Sequence, residues 1–123
     1  MPKKLLSVVE FLEHSKLASV YKQLGFEVST EWQVRKAISL LRKLQPEVIV
    51  ADFYFQADFR DRLSNLESLL AAAQPLAQTK ILVLYDPAHQ PILDKVRSRL
   101  RMDATLTMPI KEAALQNVLS AWL

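Results

Sequence analysis

The sequence predicts an α/β fold in which one sheet of five parallel strands lies between two layers of helices. Short runs rich in Val, Ile and Leu alternate along the chain with segments of helical periodicity. The two central runs, VIVADF and ILVLYD, are apolar on both faces, as parallel strands covered by helices must be. The chain has 123 residues and is half hydrophobic, which suffices for one core and is too short for two. We therefore expect a single domain over residues 1–123.

Five strands are predicted from the apolar runs. They cover residues 5–11, 26–29, 48–53, 81–85 and 104–108. Parallel neighbours need long crossovers, and such crossovers are right-handed. For a sheet of this size we predict the strand order 2-1-3-4-5.

Helical spacing fills each gap between the predicted strands. In the first helix, apolar residues recur at i, i+3, i+4 and i+7: Leu17, Val20, Tyr21 and Leu24. Ser15 is placed to cap this helix, and Gly25 is placed to end it. Ser64 and Glu67 have capping-box spacing before the third helix, and Pro91 fits the first turn of the fourth. The pattern predicts five helices in all.

Composition excludes several kinds of chemistry. The absence of cysteine excludes disulfides, thiolate nucleophiles and cysteine zinc sites, and it fits a reducing cytoplasm. We find no signal peptide and no apolar run long enough to cross a membrane. A single glycine leaves no phosphate-binding glycine loop. His14 and His89 lie far apart in the sequence, so we expect them to be surface caps and not metal ligands.

The predicted order places two acidic residues together. In doubly wound sheets, ligands bind at the carboxyl ends of the strands where the strand order reverses, which here means strands one and three. Glu10 and Asp52 lie at those two ends. This edge is the expected functional site.

The spacing of LGFEV, a helix and QPEVIVAD over residues 17–52 resembles the receiver domains of response regulators. The resemblance extends through ILVLYD and TLTMPI over nearly the whole chain. It implies a flavodoxin-like three-layer α/β/α sandwich and a role in bacterial two-component signal transduction. It also implies that Asp52 occupies the position of the phosphoacceptor.

The other positions of the receiver pocket depart from the family pattern. Where the family has a pair of acidic residues, this chain has Glu10 and Phe11. Tyr85 takes the place of a Thr or Ser, and Met108 takes the place of the lysine before a proline. The resemblance therefore implies a vestigial pocket, made of Glu10, Phe11, Asp52, Tyr85 and Met108.

These substitutions weaken phosphoryl transfer, which depends on cations that neutralise the charge on the transferred group. Met108 carries no charge, Phe11 offers no oxygen to magnesium, and the Tyr85 ring is expected to fill the pocket. We expect Asp52 and Glu10 to bond nearby backbone N–H groups. No enzyme activity and no cofactor are expected. The alternative is a weak magnesium site that uses Glu10 and Asp52, with Glu13 as a further ligand.

Two surfaces are candidates for binding a partner. One is the loop FYFQADFRDR, in which aromatic residues precede arginines as at the centres of many interfaces. Its candidate residues are Tyr54, Phe55, Phe59, Arg60 and Arg62. In the alternative interpretation, Phe53 and Phe55 point into the core and Phe59 covers the third helix.

The second surface is basic and lies on the fourth predicted helix. It consists of Lys95, Arg97, Arg99 and Arg101. Residues two apart on a helix point in different directions, which argues against a focused nucleic-acid site. In receivers, the face formed by helix 4, strand 5 and helix 5 commonly mediates dimerisation or target contact. By resemblance, this surface belongs to that face.

The leading hypothesis is a stand-alone pseudo-receiver that acts as a phosphorylation-independent adaptor for a signalling kinase or an output protein. One alternative is a degenerate receiver that is still phosphorylated at Asp52. Another is a nucleic-acid-binding module that uses the basic fourth helix. No membrane partner is expected.

Overall fold

The computed structural model describes residues 2–53 and 65–123, which contain five strands. These are β1 (Lys4–Val8), β2 (Glu27–Glu31), β3 (Val48–Phe53), β4 (Lys80–Tyr85) and β5 (Ala104–Thr107). All neighbouring strands pair in parallel, in the order β2-β1-β3-β4-β5. The predicted fold class and strand order are both confirmed.

Within the same residues the chain forms six α-helices. They are α1 (Leu12–Ser15), α2 (Ala18–Gln23), α3 (Val34–Leu44), α4 (Asn65–Ala73), α5 (Gln90–Arg97) and α6 (Glu112–Ser120). A 3-10 turn, Pro87–His89, leads into α5, and Pro91 lies in the first turn of α5 as predicted. The fourth predicted helix therefore corresponds to α5. Ser64, the predicted cap of α4, lies outside the described residues.

The beginning of the chain differs from the prediction in two ways. β1 ends at Val8, not at Phe11, because the backbone N–H groups of Glu10 and Phe11 leave the sheet and donate to the Asp52 carboxylate. Ser15 does not cap the first long helix. It is the last residue of α1, a turn closed by the N–H of His14 donating to the carbonyl of Phe11.

The sheet separates two apolar cores because side chains alternate along each strand. One core lies under α3, α4 and α5 and includes Leu6, Ile49 and Ile81. The other lies under α2 and α6 and includes Leu5 and Val50. Both faces of β3 are fully buried, which explains why its sequence, apart from Asp52, is apolar without alternation.

The carboxyl ends of β1 and β3 meet where the strand order reverses. Val8, the last residue of β1, pairs with Ala51 of β3. Asp52 is the next residue of β3 and extends one position past the end of β1. This register brings the Asp52 side chain under the loop that follows β1. Within residues 2–53 and 65–123, no helix combines the length and apolar character needed to span a membrane.

Candidate functional site

Asp52 is bonded to the loop that follows β1. Its two carboxylate oxygens each accept from the backbone N–H of Glu10 at 3.0 Å, and Oδ2 also accepts from the N–H of Phe11 at 2.9 Å. The residue is 3% exposed. Backbone donors aimed at a carboxylate favour its charged form and fix its orientation. The structure thus gives Asp52 the backbone-bonding role that the sequence predicted.

His14 supplies a further hydrogen bond to this carboxylate. Its Nδ1 lies 3.0 Å from Oδ2 of Asp52, and neither side chain has exposed surface. With the proton on Nδ1, the imidazole donates to the carboxylate. Nε2 is then the acceptor for the hydroxyls of Ser7 and Tyr21, each 3.1 Å away. The prediction that His14 caps the surface is wrong, because the fold brings it under the end of β3.

Tyr21 forms the far end of this buried network. Its ring meets that of His14 edge to face, with centroids 6.4 Å apart. Burial, together with the negative charge of Asp52, raises the pKa of the Tyr21 hydroxyl above its ordinary value. The hydroxyl therefore stays protonated and can donate to His14. We call Ser7, His14, Tyr21 and Asp52 the buried polar network.

This network resembles a hydrolase triad only in the order of its atoms. Hydrogen bonds link Ser7 to His14 and His14 to Asp52, in the same order as a nucleophile, a base and its orienting carboxylate. However, Ser7 lies inside β1 and is 2% exposed, so its hydroxyl is not presented to a substrate. The network is better explained as the means by which a buried carboxylate is satisfied.

The prediction that Tyr85 fills the phosphoacceptor pocket is wrong. Asp52 pairs with Leu84 and Phe53 pairs with Tyr85, so Tyr85 shares a face with Phe53 and not with Asp52. The Tyr85 ring packs into the core under α5, where its hydroxyl donates to Oε1 of Gln90. His89, the second histidine predicted to cap the surface, is half-buried and meets the Phe53 ring edge to face.

Phe11 and Met108 lie beside the network, on the walls of one cleft. The Met108 N–H donates to the carbonyl of Tyr85 at 2.7 Å, which fixes the loop after β5 against the end of β4. His14 also contributes to the cleft wall. Phe11 and Met108 therefore give the cleft an apolar wall near His14, which bonds Asp52.

Among the side chains that the structure describes, the arrangement at Asp52 does not fit a magnesium ion. The side chain of Glu13 is not among those described. Magnesium prefers several hard oxygen ligands, yet both oxygens of Asp52 already accept backbone N–H groups, and Phe11 supplies none. Glu10 reaches Asp52 through its backbone N–H. In the described part of the chain, no three His, Cys, Asp or Glu side chains are grouped as a metal site.

The candidate binding residues of the aromatic loop cannot be located. Tyr54, Phe55, Phe59, Arg60 and Arg62 all lie outside the described residues. Phe53, at the start of this loop, is 2% exposed and packs into the core, which agrees with the alternative interpretation for that residue.

The basic residues do not form one helical surface. α5 ends at Arg97, so Arg99 and Arg101 lie in the connection to β5 and not on the helix as predicted. Arg101 donates to the backbone carbonyls of Leu76 and Thr79 and pairs with Asp103. Its side chain thus has a structural role.

The remaining basic residues lie at the surface. Arg97 donates to the Thr105 hydroxyl at 2.8 Å, and Arg99 pairs with Glu67 at 3.2 Å. Lys95 is exposed on α5. Only Lys95 and Arg97 are therefore on the helix that was expected to hold all four residues.

Solved structures share this architecture. The chemotaxis response regulator CheY4 of Vibrio cholerae matches with a TM-score of 0.79 and 20% identity over 100% of both chains. The receiver domain of the sensor histidine kinase PA1611 from Pseudomonas aeruginosa matches with a TM-score of 0.76 and 18% identity, over 99% of this chain and 98% of that one. The protein has the fold of response-regulator receiver domains. That confirms the fold implied by the sequence resemblance.

Other comparisons agree with this fold or find nothing. NtrX from Brucella abortus matches over 100% of this chain with a TM-score of 0.80 and 18% identity, although the match covers 27% of NtrX. No protein-family model and no curated protein matches the sequence. The receiver fold thus persists here at low sequence identity.

Sequence reasoning missed His14 as a member of the site. A signal for it does exist, because Ser7, His14 and Tyr21 follow one another at intervals of seven residues. Tyr21 falls on the predicted apolar stripe, and a buried tyrosine hydroxyl requires a hydrogen-bond partner. A histidine seven residues before it was a suitable candidate.

Proposed function

We propose that this receiver-fold chain is a bacterial, cytoplasmic signalling module that acts through a protein partner without phosphorylation of Asp52. The observation that carries this proposal is the state of the Asp52 carboxylate. Both of its oxygens accept backbone N–H groups, His14 bonds Oδ2, and the side chain has no exposed surface. A carboxylate in this state is a structural anchor for the loop after β1.

Phosphoryl transfer to Asp52 would require several costly changes at once. An oxygen would have to attack the phosphorus in line while the N–H groups of Glu10 and Phe11 and the imidazole of His14 hold the carboxylate, and each of these hydrogen bonds that is lost costs about 1–3 kcal/mol. Charge building on the transferred group would need a metal ion and a cation. Phe11 and Met108 provide neither at the neighbouring cleft. Barriers from lost donors and missing cations therefore add to one another.

The test is phosphorylation of the intact chain by acetyl phosphate with magnesium, followed by whole-protein mass spectrometry. We expect no mass gain of a phosphoryl group, whereas a receiver that autophosphorylates, treated in parallel, gains one. In an amide NMR titration with magnesium, the N–H signals of Glu10 and Phe11 are expected to stay in place. A stoichiometric mass gain that maps to Asp52 would overturn the proposal.

One comparison favours the alternative of a residual phosphoacceptor. The PA1611 receiver domain, similar in fold, was solved with a magnesium ion coordinated in its active-site cleft. In this chain, such a site would have to use Asp52 with Glu10. The same magnesium titration separates the two functions, because binding would move the Glu10 and Phe11 amide signals together.

The partner in this proposal is a signalling kinase or an output protein. One candidate surface is the face of α5, β5 and α6, on which Lys95 and Arg97 are exposed; this face would also serve for a homodimer. The other is the loop that contains Tyr54, Phe55, Phe59, Arg60 and Arg62. A basic face favours an acidic partner and makes association weaken as salt rises.

Charge reversal tests the first surface. In pull-down experiments with the intact chain, Lys95→Glu is expected to lower partner recovery, since it removes an exposed cation from α5. Lys43→Glu on α3 is the matched control, because Lys43 is equally exposed but lies on another helix. Equal recovery with both variants would exclude the α5 face and leave the loop, which Phe59→Ala and Arg60→Ala test. Size-exclusion chromatography with light scattering reports the homodimer.

A further inference from the structure

A cleft of about 410 Å³ opens between the loop after β1 and the ends of β4 and β5. Among the described residues, five apolar side chains with exposed surface form most of its lining, and the buried Leu84 lies behind them. The five are Phe11, Leu17, Met108, Pro109 and Ile110. Clefts of roughly 300–1,000 Å³ with mainly apolar walls are typical of small-molecule sites.

The polar side chains of the lining do not favour a charged ligand inside the cleft. His14 directs Nδ1 to Asp52 and Nε2 to Ser7 and Tyr21, and its side chain has no exposed surface, so its ring offers no free donor to a ligand. Lys16 and Asp86 are exposed, and their charges are opposite. Asp86 also accepts the Ala88 N–H at 2.9 Å, where it caps the 3-10 turn. The described rim therefore has one cation and one anion, and neither sign of charge is in excess there.

We propose that this cleft binds a neutral, largely apolar small molecule of two or three rings. A cavity of roughly 150 Å³ holds one benzene molecule, so a cleft of about 410 Å³ has room for two or three rings. Burying apolar ligand surface against the five exposed apolar side chains supplies the driving force. An ion would lose its hydration, and the acidic and basic side chains of the described lining, Lys16 and Asp86, lie at the rim.

The size of the cleft favours a small molecule over a side chain inserted by a partner protein, since a single aromatic ring would leave much of it empty. Phe11 and Met108, which break the receiver pattern, are both in its lining. The substitutions that remove metal and charge thus also create apolar walls. The proposal does not depend on the phosphorylation state of Asp52, because none of its steps uses that carboxylate chemically.

The test compares two fluorescent probes that share one apolar body. N-phenyl-1-naphthylamine is neutral, and 8-anilino-1-naphthalenesulfonate carries an anionic sulfonate on a similar skeleton. With the intact chain, we expect the neutral probe to bind with one-to-one stoichiometry and to be held at least tenfold more tightly than the sulfonate. Amide NMR of the unmodified chain should show the shifts concentrated at Phe11, Leu17 and Ile110.

Substitutions locate the binding. Ile110→Glu places a charge in the apolar lining and is expected to weaken the neutral probe at least tenfold. Met108→Lys is expected to weaken the neutral probe and to strengthen the sulfonate, because it adds a cation to the cleft. Trp32→Ser is the matched control, since Trp32 is 52% exposed and lies after β2, outside the cleft lining. It should leave both affinities unchanged.

Three results would overturn the proposal. The first is no binding of the neutral probe up to its solubility limit. The second is sulfonate binding as tight as that of the neutral probe in the unmodified chain. The third is a larger change in neutral-probe affinity from Trp32→Ser than from Ile110→Glu. A neutral-probe affinity that falls as the chain associates with itself would count in the same way. Circular dichroism of each variant checks that the fold is kept. Because phosphorylation is measured separately, failure here and failure of the proposed function are distinguishable.

Discussion

The imidazole Nδ1 of His14 lies 3.0 Å from Oδ2 of Asp52, and both side chains are completely buried. A carboxylate without access to water needs compensation from hydrogen bonds, and here it has backbone donors as well as the imidazole. This contact joins α1 to the end of β3. It therefore links the loop after β1 to the centre of the sheet, where a receiver fold would otherwise present its reactive aspartate.

Asp52→Asn should lower the free energy of unfolding by about 2 kcal/mol. The asparagine side chain has no negative charge, and its NH₂ group would face backbone N–H donors that now bond a carboxylate oxygen. Hydrogen bonds to a charged acceptor are therefore lost inside the protein. Urea denaturation followed by circular dichroism measures the change. Asp86→Asn is the control: Asp86 caps an exposed turn, and asparagine caps equally well, so it should change stability by less than about 0.5 kcal/mol. Equal effects of the two substitutions would contradict the anchoring role of Asp52.

His14 and Asp52 should be energetically coupled. In a double-mutant cycle with His14→Ala and Asp52→Asn, we expect a coupling energy of about 1–2 kcal/mol, because each residue is the other's buried partner. The same cycle between His14→Ala and Asp103→Asn should give less than about 0.5 kcal/mol, since Asp103 bonds Ile81 and Arg101 and none of the network residues. Additive effects of His14 and Asp52 would show that their contact contributes little.

Stability should fall in strongly alkaline solution through Tyr21. Burial raises the pKa of its hydroxyl above the ordinary value of 10.0, so the folded chain holds this proton more tightly than the unfolded chain. The resulting stabilisation is complete below pH 10 and is lost as pH rises from the unfolded pKa towards the higher folded one. Urea denaturation at a series of pH values measures the decline.

Tyr21→Phe is the control for this titration. It removes the ionisable group and should make the alkaline decline shallower. At neutral pH it should cost about 1 kcal/mol, because the hydrogen bond to Nε2 of His14 is lost. An alkaline decline that is the same in both proteins would assign the effect to other groups.

The sheet was predictable from sequence because strands that are buried on both faces have continuous apolar runs. β3 was predicted at its observed bounds, since all six of its residues are buried and all except Asp52 are apolar. β1 was predicted to end three residues too late. Val9 continues the apolar run in the sequence and is buried, yet the chain turns directly after it to bond Asp52. Such a turn depends on a residue distant in the sequence, so local pattern does not reveal it.

The site was predictable only in part for the same reason. Asp52 was located by strand position and by resemblance. The role of His14 depends on the position of α1, which brings the imidazole to Asp52 at the end of β3. Hydrophobic spacing does not specify that position. The prediction for Tyr85 assigned its side chain to the wrong face of the sheet. Tyr85 pairs with Phe53, so its ring lies on the face opposite Asp52.

Arg101 should matter for stability more than the neighbouring arginines. Its guanidinium donates to the carbonyls of Leu76 and Thr79 and pairs with Asp103, so Arg101→Ala removes three contacts and should cost about 2 kcal/mol in urea denaturation. The Leu76 carbonyl keeps the N–H of Thr79 as a donor. Arg97→Ala and Arg99→Ala are matched controls with surface contacts, each expected within about 0.5 kcal/mol of the unmodified chain. A cost for Arg99→Ala as large as that for Arg101→Ala would contradict the structural role assigned to Arg101.

Two positions with positive φ should respond to substitution in opposite directions. Gln45 ends α3 with φ of 46°, a left-handed conformation that glycine adopts more readily. Gln45→Gly should therefore raise the free energy of unfolding by about 0.5 kcal/mol. Gly25 has φ of 95°, and a Cβ there would meet no heavy atom within 4 Å, so Gly25→Ala should lower stability by about 1 kcal/mol through backbone strain alone. Urea denaturation of both variants measures the pair. A shift of the same sign in both would show that backbone conformation does not control these two sites.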